Sequence, residues 1–581
     1  MAAKSRNRFA VRIRLIAGFM LLIAAAFIVR LYFLQIVHGA DYRKEAESEY
    51  VKQSGNQVDR GSIFFTAKDG TLISAATVSS GDTIAVNPKT LADPEAAYVM
   101  LKKYIPDLDK SSFITKASNK NEVYVEAAQK ATDETGKKIT AENMTGIEVL
   151  KETWRSYPGN NLAAHEIGFL AFGPDGKTIT GQYGLERFYD AALARSSGGL
   201  YVNFFADLFT NIRSQLFSDD TQSGADLVTS IEPNVQGFLQ DAINGYDAAW
   251  HPKIAGGIIM DPSTGAIIAM ASTPTFDPND FKNTDVQTFT NPLVENVYEF
   301  GSTMKPLTMA AGIDAGAVTP ETTYNDKGFA IFDGSKISNY DGKGRGVVPM
   351  QEVLNQSLNT GVAFVVSKMG TSAFRDYFER FGITEETGID LPNEASPLAE
   401  NFKSPRTIEY VTAAFGQGIA LSPVAMTRAL ATLANHGAVP TPHVGVELDY
   451  GGGIVKKLGW SPPRQAISKE SAETVTRMLV TVVDTALQHG KIKIPEYSVA
   501  AKTGTAQIAR PDKRGYYDDR YLHSFFGYFP AYNPKFIIFF FATEPKGAQF
   551  ASETWTGPFT DTVHFLINYY DIPPDRAPAS R

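Results

Sequence analysis

The chain has no cysteine among its 581 residues. This absence excludes disulfide bonds, cysteine-ligated zinc, iron–sulfur clusters and a cysteine nucleophile. It does not locate the protein in the cell, because a cysteine-free chain suits reducing and oxidising compartments alike.

Sequence motifs for nucleotide and metal chemistry are also missing. The chain contains no G-x-x-x-x-G-K-[ST], G-x-G-x-x-G, H-E-x-x-H or G-x-S-x-G pattern. Its eight histidines are scattered, and no two of them lie within four positions of each other. We therefore expect the protein to need no metal and no cofactor.

The net charge of −8 is distributed unevenly along the chain. Residues 1–14 contain five lysines and arginines and no acid, which leaves a net charge of −13 on the rest. Clusters of lysine and arginine supply most of the affinity for nucleic acid, so a body this acidic is not expected to bind it. The hydrophobic fraction of 43% is ordinary for a globular protein, and the length predicts two or three domains.

Long apolar runs are confined to the N-terminus. Residues 15–37 contain a single charged side chain, Arg30, and a helix of this length at about 1.5 Å per residue can cross a bilayer. Because basic segments stay inside, residues 1–14 are predicted to be a cytoplasmic tail. A cleaved signal peptide is the alternative. The apolar run continues beyond the alanines at 24–26, which favours a single-pass anchor in the cytoplasmic (inner) membrane with an extracytoplasmic body.

The rest of the chain divides into two predicted domains, residues 38–225 and 226–570. The first is polar with short mixed patterns, and the second predicts strands, then helices, then strands again, which is typical of an α+β domain. Strands are predicted over residues 226–231, 254–260, 266–271, 497–502, 524–529 and 536–543, and helices over residues 350–369 and 423–435. The strands at 254–260 and 266–271 are predicted to form a hairpin about the turn at 261–265. Residues 571–581 are rich in proline and alanine and are predicted to be a disordered tail.

Three short motifs occur in an order that indicates an active site. Only one lysine has a serine three positions earlier, in Ser302-Thr303-Met304-Lys305, and K-[ST]-G occurs once, as Lys502-Thr503-Gly504. The S-x-N pattern occurs three times, and only Ser357-Leu358-Asn359 lies between the other two motifs. Each motif alone is common, so the order and spacing carry the inference.

The residue types fit acyl-transfer chemistry. Ser302 and Lys305 stand three positions apart and face the same side of a helix. If burial lowers the lysine pKa, its amine can take the serine proton and create a nucleophile without histidine. Ser357 would offer a hydroxyl for proton relay, and Asn359 an amide for a substrate backbone. Lys502-Thr503-Gly504-Thr505, on a strand at the sheet edge, would hold a carboxylate, and Gly504 would let a substrate approach the backbone.

At these residues the chain resembles the class B penicillin-binding proteins, and among them the division type. The likeness covers residues 10 to 565 and includes further short runs outside the three motifs. These runs are Arg60-Gly61, Arg155-Ser156-Tyr157-Pro158 with His165, residues 181–190, Phe415-Gly416-Gln417-Gly418, Asn435-His436-Gly437 and His523-Ser524-Phe525-Phe526-Gly527.

The resemblance implies a fold and a set of residue roles. The fold would be a penicillin-binding, serine β-lactamase-like transpeptidase domain on an elongated, non-catalytic pedestal of the dimerisation type, with one N-terminal transmembrane helix. Ser302 would be the acylated nucleophile, Lys305 its base and Ser357 the proton relay. The residues that would bind the stem peptide or a β-lactam are Asn359, Lys502, Thr503, Gly504 and Thr505.

The resemblance also implies an activity and partners. The protein would be a D,D-transpeptidase that cross-links peptidoglycan stem peptides through an acyl-enzyme on D-Ala-D-Ala, in septal wall synthesis, and a target of β-lactams. Its partners would include a SEDS-family glycosyltransferase and other division-complex membrane proteins. The alternatives are an elongation-type transpeptidase, a penicillin sensor or scaffold, and a carboxypeptidase or β-lactamase-like hydrolase that uses Glu295 or Glu299 to activate water.

Overall fold

A computed structural model describes residues 53–173, 178–195, 224–513 and 515–577, together with positions 18 and 20. The predicted membrane span, residues 15–37, lies outside this part of the chain except for those two positions. Among the described residues, no helix combines the length and the apolar character needed to cross a membrane.

The described residues form 21 strands and 16 α-helices. The strands are β1 Gln53–Gln57, β2 Ile63–Thr66, β3 Leu72–Val86, β4 Val125–Ala131, β5 Ile147–Ser156, β6 Leu170–Phe172, β7 Ile179–Gly181, β8 Asp226–Thr229, β9 Ile254–Met260, β10 Ile267–Thr273, β11 Thr323–Asp326, β12 Phe329–Phe332, β13 Ser335–Ser338, β14 Gly346–Pro349, β15 Ala438–Val439, β16 Gly445–Asp449, β17 Val455–Lys457, β18 Arg464–Gln465, β19 Ala500–Ala509, β20 Tyr516–Phe529 and β21 Phe536–Thr543. The helices are α1 Pro94–Lys102, α2 Lys110–Ala117, α3 Asp133–Ala141, α4 Ala164–Ile167, α5 Gly184–Phe188, α6 Asp190–Leu193, α7 Pro233–Trp250, α8 Lys305–Asp314, α9 Met350–Asn355, α10 Asn359–Met369, α11 Thr371–Arg380, α12 Thr407–Ala413, α13 Pro423–Ala434, α14 Lys469–Thr481, α15 Ala551–Thr554 and α16 Thr556–Tyr569.

The chain forms two compact units, and the smaller one comprises Val78–Trp154 and the described residues up to Val58. Its strands β3 and β4 pair antiparallel, and β1 pairs with β5 in parallel. Helices α1, α2 and α3 each begin after a side chain that accepts a backbone N–H of the first turn. Their apolar faces build a core of its own with the strands, which includes Ile84, Leu101, Phe113 and Ile139.

The larger unit comprises Asp59–Thr77 and Arg155–Arg581. It contains an antiparallel sheet of five strands in the order β10-β9-β21-β20-β19. The predicted hairpin is confirmed as β9 and β10, and the predicted strand at 536–543 is β21. The predicted strands at 497–502 and 524–529 overlap the longer strands β19 and β20. The sequence patterns did not predict where these two strands begin and end, apart from the last residue of β20.

Strand β21 shows why this sheet is buried on both faces. Its residues are all apolar except the last, and successive side chains point to opposite sides. Phe540 stacks on Trp555, which in turn stacks on Tyr246 of α7. On the other face, Phe539 packs edge-on against Phe300, which precedes the first motif. One face therefore holds the terminal helices, and the other holds the helical layer that carries the motifs.

The prediction of a single helix over residues 350–369 is wrong. Helix α9 ends at Asn355 and α10 begins at Asn359, with Ser357 between them in a left-handed conformation at φ 56°. Few serines adopt this strained conformation, and strained residues cluster at functional sites. The break turns Ser357 out of the helical path, and hydrophobic periodicity cannot reveal such a break because both helices bury apolar residues at similar spacing.

A buried ionic cluster joins three of the family-like runs in the larger unit. Glu186 is fully buried, and its two carboxylate oxygens accept 2.6 Å hydrogen bonds from Arg60 and Arg155. Arg60 also contacts Asp190, and Arg155 donates to the carbonyl of Gly61. The described residues of this stretch, 155–173 and 178–195, belong to the unit that contains the five-stranded sheet, whereas the sequence predicts them in the first domain.

The first residues of the predicted tail make specific contacts. The carbonyl of Ile572 accepts a hydrogen bond from the Tyr497 hydroxyl, and Asp575 accepts bonds from the backbone N–H and hydroxyl of Ser498. Arg576 forms an ion pair with Asp484. These bonds fix the part of the tail that the structure describes against Asp484 and against the segment that leads into β19.

We predict that Glu186→Ala will lower the free energy of unfolding by about 3–5 kcal/mol, because it leaves two guanidinium groups buried without their shared carboxylate. Denaturant unfolding of the purified protein measures this change. Asp561→Ala, which truncates an exposed carboxylate on α16, is the control and should change stability by less than about 0.5 kcal/mol. Equal effects of the two variants would contradict a structural role for the cluster.

Candidate active site

The first motif begins in a tight turn. Gly301–Met304 forms a 3₁₀ turn that leads directly into α8, whose first residue is Lys305. In a 3₁₀ turn, side chains three positions apart eclipse each other, so Ser302 and Lys305 lie on the same side, as their spacing predicts. Pro306 occupies the first turn of α8, where its missing N–H costs no hydrogen bond.

Two glycines let this turn approach its neighbours closely. Gly301 adopts φ 63° and donates its N–H to the carbonyl of Gly416, which has φ 77°. A Cβ on Gly416 would lie 2.3 Å from the carbonyl oxygen of Gly301. The run Phe415-Gly416-Gln417-Gly418 therefore supports the backbone of the turn that carries Ser302.

The structure gives a different reason for Gly504 than the expected one. A Cβ at this position would lie 2.5 Å from the carbonyl oxygen of Phe300 and 2.4 Å from the Ser524 hydroxyl. Along β19, Thr503 and Thr505 face the cleft, whereas Gly504 faces the serine turn. The lack of a side chain at Gly504 therefore allows the turn to pack on the strand, and the approach of a substrate to its backbone stays a prediction.

The three motifs meet at the hydroxyl of Ser357. Lys305 Nζ and Lys502 Nζ each lie 3.1 Å from Ser357 Oγ. Lys305 also donates to the Ser357 carbonyl at 2.5 Å, and Lys502 donates to the Thr503 carbonyl at 2.9 Å. The backbone N–H of Lys305 donates to the carbonyl of Ser302, and no side-chain hydrogen bond joins these two residues among those of the described residues.

Burial makes both lysines weaker bases than lysine in water. Lys305 is fully buried, and desolvation, with a further contribution from the charge of Lys502, places its pKa well below the ordinary value. Desolvation lowers the pKa of Lys502 to about 8. Lys305 therefore loses its proton more readily than an ordinary lysine, and Lys502 retains a positive charge below about pH 8.

A cleft of about 760 Å³ surrounds these groups. Six of the predicted site residues line it: Ser302, Ser357, Asn359, Lys502, Thr503 and Thr505. Lys305 is buried behind the cleft wall and reaches Ser357 from there, and Gly504 faces the serine turn. Asn359 Nδ2 donates to the carbonyl of Ser338, and Thr505 Oγ1 accepts the N–H of Ala551. Both side chains retain further hydrogen-bonding capacity toward a ligand.

Sequence reasoning missed several residues of the cleft walls. Tyr340 and Phe550 come from opposite walls, and their rings meet edge to face at 6.1 Å. Lys336 and Gln488 line the cleft as well. None of the four lies within a recognisable motif, and only the fold reveals them. None of the described residues that line the cleft carries a carboxylate, although the chain as a whole is acidic.

Two family models match the chain. Residues 255–563 match the penicillin-binding protein transpeptidase domain, and residues 56–229 match the penicillin-binding protein dimerisation domain. The first match covers the five-stranded sheet and all three motifs, and the second covers the region that the sequence predicts as a pedestal.

Similar whole proteins are also known. Stage V sporulation protein D of Bacillus subtilis is 27% identical over 542 residues, which is 92% of this chain and 82% of that protein. Peptidoglycan D,D-transpeptidase FtsI of Escherichia coli K12 is 26% identical over 575 residues, which is 97% of this chain and 92% of that protein.

Among solved structures, penicillin-binding protein 3 of Mycobacterium tuberculosis in complex with ampicillin has a similar fold. Its TM-score is 0.68 at 22% identity, and the match covers 90% of this chain and 98% of that chain. The two family models together span most of the described residues. The chain therefore belongs to the class B penicillin-binding proteins.

Proposed function

We propose that the protein is a peptidoglycan D,D-transpeptidase that cross-links stem peptides during septal wall synthesis and that β-lactams acylate. The observation that carries this proposal is the contact of two buried lysines, Lys305 and Lys502, with the hydroxyl of Ser357 in the cleft lined by Ser302. The similarity to FtsI and to an ampicillin-binding structure supports the same reaction class.

In the first half-reaction, Ser302 Oγ attacks the carbonyl carbon between the two D-alanines. Lys305, uncharged because burial lowers its pKa, accepts the serine proton. Backbone N–H groups of Ser302 and Thr505 are proposed to stabilise the oxyanion. The C–N bond then breaks, Ser357 passes a proton to the departing amine of D-alanine, and an ester links the peptide to Ser302.

In the second half-reaction, an amine from a neighbouring stem peptide attacks the ester carbon. The amine loses its proton along the same Ser357–Lys305 path, the C–O bond to Ser302 breaks, and the serine regains its proton. The new amide is the cross-link, and no oxidant, reductant or cofactor takes part.

Substrate recognition is proposed to use the charge and hydroxyls of the third motif. The ammonium of Lys502, charged below about pH 8, and the hydroxyls of Thr503 and Thr505 suit the terminal carboxylate of the stem peptide or of a β-lactam. Asn359 is proposed to hold the peptide backbone. Because no carboxylate lines the described cleft, nothing there repels an anionic ligand.

The hydrolase alternative needs a carboxylate that activates water near Ser302. Glu299 accepts a hydrogen bond from Tyr516, and Glu295 accepts bonds from the Asn291 backbone and from Asn393. Neither glutamate lines the cleft. This arrangement favours transfer of the acyl group to an amine over hydrolysis, and the assembled catalytic groups favour an enzyme over a sensor or scaffold.

The proposed setting is the cytoplasmic (inner) membrane. Residues 15–37 would form a single anchor, with the basic residues 1–14 in the cytoplasm and both compact units outside. A SEDS-family glycosyltransferase and other division proteins are the proposed partners. The septal role rests on Thr303 and Met304 within the first motif, and an elongation role is the alternative.

We predict that wild-type protein will form a stable covalent adduct with a fluorescent penicillin and that Ser302→Ala and Lys305→Ala will not. Gel fluorescence and intact mass measure the adduct, and circular dichroism checks that the variants fold. Lys336→Ala, which truncates another lysine of the cleft, is the matched control and should label. Labelling of Lys305→Ala at the wild-type rate would contradict its role as base, and rapid loss of the wild-type adduct would indicate a hydrolase.

We predict that penicillin acylation will slow as pH rises through about 8, because Lys502 then loses the charge that attracts the carboxylate. The second-order acylation rate constant between pH 6 and 10 measures this effect. In Lys502→Arg the guanidinium remains charged, so the alkaline decline should move to higher pH. The same decline in Lys502→Arg and wild type would assign the titration to another group.

We predict that a fluorescent fusion of the full chain will concentrate at mid-cell in the producing bacterium and that depletion will block septation while growth continues. Microscopy measures both. A catalytically inactive Ser302→Ala fusion should localise normally but fail to restore septation. Localisation along the lateral wall, with loss of cell shape on depletion, would instead support the elongation type.

A further inference from the structure

A buried carboxylate, that of Asp326 at the end of β11, binds the start of the helix that carries Asn359. The residue is 2% exposed, and its carboxylate accepts hydrogen bonds from donors on three segments. Thr360 Oγ1 donates at 2.8 Å, Asn339 Nδ2 donates at 3.1 and 3.0 Å, and the backbone N–H groups of Gly328 and Arg345 donate at 2.9 and 3.0 Å.

Asn339 completes the connection to the S-x-N motif. Its Oδ1 accepts the N–H of Thr360 at 3.2 Å, and the preceding residue, Ser338, accepts the side-chain amide of Asn359. Asp326, Asn339 and Thr360 are all buried, so water cannot replace these bonds. The cluster therefore fixes Asn359 and the cleft-lining end of β13 relative to each other.

Residues 326–345 also bind the N-terminal side of the S-x-N motif, where Gln356 precedes Ser357. Arg345 Nε donates to Gln356 Oε1 at 2.9 Å, and Asp341 orients the guanidinium through two 2.9 Å bonds. Gln356 directly precedes Ser357, and Thr360 follows Asn359. The strained Ser357, at φ 56°, thus lies between two tethers that both originate in residues 326–345.

We infer that Asp326, Asn339 and Arg345 are positioning residues that hold Ser357 Oγ between the two lysines, an inference that rests on the proposed function. They touch no reacting atom themselves. Because Ser357 is held in a conformation that serine rarely adopts, loss of a tether lets the backbone relax and moves its hydroxyl away from Lys305 and Lys502. A displacement of about 1 Å can lower a rate about 100-fold.

The experiment compares two substrates that differ in their need for the Ser357 proton. A β-lactam expels an amine, which must be protonated, whereas a thioester analogue of acyl-D-Ala-D-Ala expels a thiolate, which needs no proton. In Asp326→Asn, we expect β-lactam acylation to fall about 10–100-fold and thioester acylation to fall much less. A purely structural defect would lower the active fraction and reduce both rates by the same factor.

Three further variants keep the test decisive. Thr360→Val removes the hydroxyl that binds Asp326 and should reproduce the selective loss, whereas Thr360→Ser should restore it. Asp390→Asn is the matched control, because Asp390 is an equally buried carboxylate that accepts bonds from Tyr189 and from the backbone of Val444 and Gly445, none of which lines the cleft. It should lower the melting temperature without changing the ratio of the two rates.

The outcomes separate this inference from the proposed function. An unchanged rate ratio in both Asp326→Asn and Thr360→Val would overturn the positioning role. Failure of the wild-type protein to react with either substrate would instead overturn the proposed transpeptidase. If Asp326→Asn does not fold, the Thr360→Val and Thr360→Ser pair decides the question alone.

Discussion

The structure depends on the placement of two amines against one hydroxyl inside a buried cleft. Ser357 Oγ accepts a hydrogen bond from each lysine. Both bonds require that water is excluded from the two amines and that the backbone holds Ser357 at φ 56°, an unfavourable conformation. Two positive charges this close repel each other, and desolvation adds to the cost. The cost is lowest when Lys305 is neutral and Lys502 charged, which is the division of roles that the proposed carboxylate binding and the acylation that follows it require.

Close backbone packing fixes the position of the turn that carries Ser302, the proposed nucleophile. Gly301, Gly416 and Gly504 each lack a Cβ where a neighbouring backbone or side chain already fills the space. The serine turn is therefore clamped between β19 and the run that contains Gly416, and it cannot shift without opening one of these contacts. The ring of Phe539 in β21 packs edge-on against Phe300, which precedes the serine turn, and so supports the turn from the sheet.

The sequence predicted much of this site because its signals are local. The three motifs, the hairpin of β9 and β10 and the last strand of the sheet follow from spacing and from apolar runs. The break at Ser357 could not be predicted, since Asn355 and Asn359 border helices with similar apolar patterns. Asp326 and Asn339 carried no signal either, because their contacts with Thr360 span 34 and 21 residues and arise only after the chain folds.

The absence of acids from the described cleft, in a chain of net charge −8, connects specificity with reaction type. A carboxylate beside Ser302 would activate water, and it would also repel an anionic ligand from Lys502. The lack of acidic residues on the cleft walls therefore favours the binding of an anionic ligand and also disfavours hydrolysis. Glu299 shows how this is achieved: it lies three residues before Ser302, yet its hydrogen bond to Tyr516 directs it away, and burial raises its pKa to about 6. In the proposed mechanism the acyl-enzyme then persists until an amine arrives, which is the property that separates a cross-linking enzyme from a hydrolase.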